Sequence, residues 1–147
     1  MGNKFIMKVS TAELSNAINS IDLYDGKTRL KVEDVLNQGA KWVANGARQR
    51  VAVRSGKTKN SIKSSLSRPK LESYVKATTP QAHLVEFGVK PHSLDKGAKR
   101  KVMVINGHPV SGKIMHPGTK ARPFMKPAFE AEVGAITRAI VKAVGKV

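Results

Sequence analysis

The sequence predicts an α+β fold: an antiparallel β-sheet of about four strands packed by a long helix in the N-terminal half and by a C-terminal helix. Three observations predict it. Apolar residues recur every three or four positions over residues 32–51 and again over 129–144, the spacing of an amphipathic helix. Between them, residues 62–77 alternate apolar and polar, the period of a half-buried strand. Asn106-Gly107 then sits between two short apolar runs, the strongest short hairpin signal. Helices at both ends of a run of strands point to helices layered on an antiparallel sheet.

At 147 residues the chain suits a single domain, 1–147, large enough for one core. Residues 1–25 form an N-terminal segment with a short helix. Ser10-Thr11-Ala12-Glu13 fits a capping box, and Leu14, Ala17, Ile18 and Ile21 follow at helical spacing over 11–21. Asp25-Gly26 breaks that helix.

The long helix carries Val32, Leu36, Ala40, Val43, Ala47 and Val51 on one stripe. Glu33 and Asp34 near its start and Arg48 and Arg50 near its end suit the helix dipole. Gly39 and Gly46, seven apart, share nearly one face, which predicts close packing against another backbone. Ser55 to Asn60 is a polar turn. Ile62 and Leu66, then Leu71, Ser73, Val75 and Ala77, mark two strands joined at Arg68-Pro69-Lys70. Ala82 to Gly88 reads as a helical turn. Residues 89–100 and 106–122 read as mobile loops, with a strand at 101–105 and its return at 110–115. Pro127 opens the last helix, whose stripe is Phe129, Val133, Ile136, Ile140 and Val144.

Charge dominates the composition: 27 Lys and Arg stand against 10 Asp and Glu, a net of +17. Such a chain is drawn to polyanions or acidic partners. The charge is uneven. Residues 1–40 are balanced, whereas residues 41–76 contain one acid, Glu72, and residues 88–126 contain one, Asp95.

Several function classes lose their residues. Cysteine is absent, which removes thiol nucleophiles, disulfides and cysteine metal sites. No apolar run approaches the roughly 20 residues of a membrane span, and MGNKFIMKVS has no apolar stretch of the secretory kind. Gly56-Lys57-Thr58 lacks the upstream glycine of a phosphate-binding loop, position 51 being Val51. The four histidines, His83, His92, His108 and His116, show no ligand spacing. His83 and Glu86 could meet on one helical turn, but pairing of Glu86 with a neighbouring Lys or Arg is the expectation. No catalytic residue, metal or cofactor is expected. Arg48, Arg50, Arg54, Lys57, Lys59 and Lys63, near one end of the long helix, are candidates to face DNA or an acidic partner without reading sequence.

The run Val85-Glu86-Phe87-Gly88, a charged loop with Pro91-His92, a hairpin, and then HPGTKARPFMKPAFE (116–130) resemble the small neck proteins of long-tailed bacteriophages. The type member is gene product ten of the lambdoid phage HK-ninety-seven. Upstream, Gly46 to Arg54, Ser55-Gly56 and Ser61-Ile62 resemble that family's helix end, turn and first strand, so the likeness spans roughly residues 32–145. It implies an α+β structural protein of the virion, made in the cytoplasm of the bacterial host, with no catalysis and no cofactor. It also implies a homo-oligomeric ring, commonly a hexamer, which completes the tail and joins it to the head connector around the path of the genomic DNA. The tail tube or terminator and the connector would be its partners, with no membrane. Residues expected at assembly contacts are His116, Pro117, Gly118, Thr119, Lys120, Arg122, Pro123 and Phe124, with Lys96, Lys99 and Arg100 in the preceding loop. The alternative left open by composition is a stand-alone non-specific DNA-binding protein.

Overall fold

A computed structural model describes residues 5–9, 26–94, 103–110 and 114–145. Its elements are β1 (Phe5–Val9), α1 (Gly26–Arg50), α2 (Lys57–Ser61), β2 (Ile62–Ser67), β3 (Glu72–Ala77), α3 (Ala82–Phe87), β4 (His92–Leu94), β5 (Met103–Ile105), β6 (His108–Val110), β7 (Ile114–His116) and α4 (Met125–Val144). The fold is α+β, as the periodicities predict. The short helix expected at 11–21 lies outside the described residues.

Helices α1 and α4 pack along each other, and α1 covers β2 and β3. Val32, Leu36, Ala40, Val43 and Ala47 are buried along α1, and Ile136 and Ile140 along α4. The paired glycines permit the close approach. A Cβ added at Gly39 would sit 2.7 Å from Ile136 Cγ1, and one at Gly46 would sit 3.4 Å from the Ala128 Cβ.

The long helix starts earlier than its apolar stripe. It begins at Gly26, so no acidic residue occupies its first turn. Glu33 serves a different purpose: it is nearly buried and bridges Arg29 at 3.5 Å and Arg68 at 3.6 Å. Arg29 also donates to the Arg68 carbonyl at 3.0 Å, tying the start of α1 to the β2–β3 turn. At the other end, Arg48 donates to the Ile62 carbonyl at 2.5 Å and to Asn45 Oδ1 at 2.7 Å.

The main sheet has three antiparallel strands in the order β1-β3-β2. Ser73, Val75 and Ala77 are buried along β3 while Glu72, Tyr74 and Lys76 are half-exposed, the predicted alternation. Strand β1 was not expected. It pairs from Phe5↔Ala77 to Val9↔Ser73.

The expected second hairpin is present but shorter. Asn106 (φ 51°) and Gly107 (φ 82°) make its turn, the positive-φ pair that matches strand twist, and Ile105 faces His108. The segment expected to return over 110–115 divides instead. Residues 108–110 pair with β5, whereas β7 pairs with β4 inside the segment expected as the 89–100 loop.

Candidate functional site

The turn after α1, the start of α3, and the β4 and β7 strands converge on one cleft of about 1170 Å³. Its construction begins with two glycines. Gly88 (φ 73°) ends α3 and Gly118 (φ 80°) precedes Thr119, and both lie in the region open to glycine. Between them, Val89 and Thr119 exchange backbone hydrogen bonds at 2.9 and 2.8 Å. A Cβ on Gly118 would collide with the Val89 carbonyl oxygen, and one on Gly88 would sit 2.6 Å from the Thr119 oxygen. Arg122 N–H then donates to the Val85 carbonyl at 2.8 Å. The two motifs VEFG and HPGTKARPF are thus a single stitched unit.

Glu86 fixes that unit to the core. The residue is buried, only 3% exposed. It accepts the backbone N–H groups of Phe124 at 2.8 Å, Met125 at 2.9 Å and Lys126 at 2.9 Å. These are orphan donors at the start of α4, where an anion also meets the helix dipole favourably. The expected pairing of Glu86 with a Lys or Arg is therefore replaced by backbone capping. Nor does Glu86 meet His83. The sequence held no local signal for this, because cap and helix are far apart in the chain.

On this scaffold the cleft gathers Arg54, Lys57, Lys59, Lys120 and Arg122 together with the apolar Ala52, Leu84, Val85 and Val89, with no carboxylate in the lining. All five cations are exposed and none forms an ion pair among the described residues. His92 and His116 form one wall. They are cross-strand neighbours stacked with ring centroids 5.1 Å apart. His116 Nδ1 accepts the Gly118 N–H at 3.0 Å, and His92 Nδ1 donates to the Lys90 carbonyl at 3.0 Å.

The structure therefore joins two sets of candidates that the sequence kept apart. Arg54 comes from the turn after α1 and Lys57 and Lys59 from α2, where the sequence predicted a polar turn, while His116, Thr119, Lys120 and Arg122 come from the segment before α4. Pro117 and Pro123 are exposed beside them and Gly118 is half-buried. Arg50 is exposed and donates back to the Gly46 carbonyl, and Lys63 is exposed on β2 outside the cleft. Two expectations change. Arg48 is a part-buried tie between α1 and β2, not a freely presented charge. Phe124 is fully buried in the core, so it supports the subunit from within and cannot touch a partner. Lys96, Lys99 and Arg100 lie outside the described residues.

Among the described residues no group of three or more His, Asp or Glu converges on a common point. No described helix is long and apolar enough to cross a membrane. Fold and site together define a small α+β protein with a basic cleft whose lining is partly apolar. The family described as "Bacteriophage HK97-gp10, putative tail-component" matches residues 14–88, just over half of the chain, and the chain belongs to that family. It is a phage tail component and so a virion protein. The match includes the cleft residues from Ala52 to Val85 and stops before Val89. Searches of curated proteins and of solved structures each return no match.

Proposed function

We propose that this chain is a structural protein that completes the tail of a long-tailed phage and joins it to the head connector as a homo-oligomeric ring. Membership in a tail-component family carries this reading. In it the chain does no chemistry and holds no cofactor. The α1–α4 core makes each subunit rigid, and the cleft presents unpaired cations to an acidic surface of a neighbour. Neighbouring subunits pack against the exposed β5–β6 turn at Asn106-Gly107 and against the rim of the cleft. The tail terminator or tube lies on one side and the connector on the other, and the genome passes through the ring.

Limited proteolysis tests this reading. The exposed β5–β6 turn at Asn106-Gly107 should be cut in the isolated chain and protected in assembled tails, with gold-labelled antibody marking the neck of the virion. Equal cutting in both states, or label elsewhere on the tail, contradicts it. The unpaired cations also favour a second reading, a stand-alone DNA-binding protein. That reading requires duplex affinity to fall steeply with salt, by about 0.9 log units per log unit of salt for each phosphate contacted.

A further inference from the structure

The cleft concentrates basic charge beyond one end of α1. Arg54, Lys57, Lys59, Lys120 and Arg122 surround the cleft just beyond the C-terminal end of the helix. An acidic stretch without a basic residue is anchored at the opposite pole, where Lys27, Arg29, Lys31, Arg68 and Lys70 also lie. Residues 10–25 carry Glu13, Asp22 and Asp25 with no Lys or Arg, in a chain of net charge +17. Asp34 adds an exposed carboxylate nearby on α1.

The two ends of that acidic segment are placed by the fold. It leaves β1 at Val9, which pairs with Ser73 beside the β2–β3 turn. It rejoins at Gly26, three residues before Arg29, which holds the Arg68 carbonyl of the same turn. The cleft lies past the other end of α1, whose 25 residues span about 37 Å. A segment anchored at both ends on the far side must go out and come back. Half of residues 10–25 reaches about 27 Å even when fully extended, so the segment cannot fill the cleft of its own chain.

We propose that residues 10–25 of one copy dock in the basic cleft of the next. This inference rests on the ring reading and names its joint. Glu13, Asp22 and Asp25 supply the carboxylates that the cleft lining lacks. Leu14, Ala17, Ile18 and Ile21 supply an apolar stripe for Leu84, Val85 and Val89 in the lining. The cleft suits such a segment better than nucleic acid. It is concave, and its only aromatic rings, His92 and His116, stack on each other and offer no free platform for bases. A contact between different surfaces at opposite poles is heterologous, the kind that propagates head to tail and closes into a ring when the rotation allows.

The test uses the full chain at a concentration below self-association and a fluorescent synthetic peptide of residues 10–25. The peptide should bind saturably and release as salt rises. Its affinity should fall at least tenfold when Lys57→Glu and Lys120→Glu are combined, and likewise when the peptide's three acids become amides. In the full chain, Glu13→Lys, Asp22→Lys and Asp25→Lys together should abolish self-association. Combining them with the reversed cleft should restore it, with circular dichroism confirming that every variant folds. The proposal is overturned if the peptide fails to bind at millimolar concentration, binds the reversed cleft equally, or is replaced as ligand by duplex DNA that needs Lys57 and Lys120. If rings assemble undisturbed by cleft reversal, this joint is wrong and the ring reading stands. If the peptide binds but virions hold no ring of this protein, the ring reading fails instead.

Discussion

The carboxylate of Glu86 accepts the backbone amide of Met125 at 2.9 Å, joining the end of α3 to the first residue of α4. Phe124 and Lys126 donate to the same carboxylate. The consequence is architectural: the basic segment bearing Lys120 and Arg122 is held between this cap and the Val89–Thr119 bridge. Basic cleft and helix cap are therefore coupled, and disturbing one should be felt in the other.

Replacing Glu86 measures that coupling. Glu86→Ala strands amide donors at a buried helix start and should cost about 3 kcal/mol, the scale of losing charge-assisted hydrogen bonds at a cap. Glu86→Gln retains the shape and one acceptor oxygen, so it should cost about half as much on the same basis. Urea denaturation of the two variants checks the order. Equal stability of both with the parent chain contradicts the cap.

The glycines flanking the bridge make a second prediction. Gly118→Ala must either leave the positive-φ region or push against the Val89 carbonyl, and about 2 kcal/mol of stability should be lost. Gly107→Ala is the control: it shares the positive φ but meets no atom within 4 Å. Its loss should be nearer 1 kcal/mol. Thermal unfolding of the pair separates collision from conformational cost.

Two helix glycines should respond with opposite signs. At Gly46 the nearest atoms are the flexible end of Arg50 at 3.0 Å and the Ala128 Cβ at 3.4 Å. Gly46→Ala should therefore keep most of the roughly 1 kcal/mol gain in helix propensity. At Gly39 the new methyl would press on the branched side chain of buried Ile136. Overpacking of about 1–3 kcal/mol outweighs the gain, so Gly39→Ala should destabilise. Denaturant midpoints of the two single variants decide it.

The arginines around the end of α1 should also divide. Arg48→Ala removes a tie to the Ile62 carbonyl and should cost about 1–2 kcal/mol. Arg54→Ala should leave stability within about 0.5 kcal/mol, as exposed substitutions do, while weakening polyanion binding in a heparin or peptide assay. The reverse pattern would assign the two residues to each other's roles.

Much of this fold is legible in the sequence because the signals are local. The stripe from Val32 to Val51, the alternation from Ser73 to Ala77 and the Asn106-Gly107 turn each depend on neighbours within a few residues. The close approach at Gly39 and Gly46 is legible for the same reason, since both fall on one helical face. What escapes is long-range. Strand β1 pairs with β3, whose residues 73–77 lie far along the chain, and nothing within residues 5–9 signals that partner. Strand β7 reads naturally as the return of the 103–110 hairpin until β4 claims it. The Glu86 cap has no short-range mark. The candidate cations were visible as residues, but their division into cleft charges and the structural tie of Arg48 required the packing of α1 on β2.

The claim at the centre of this account is that the chain is the joint that completes the tail and binds it to the head. Electron microscopy of phage particles produced without this protein tests it most directly. The account predicts filled heads and separate tails, with joining restored when purified protein is added back. Intact virions with heads and tails still attached would contradict it.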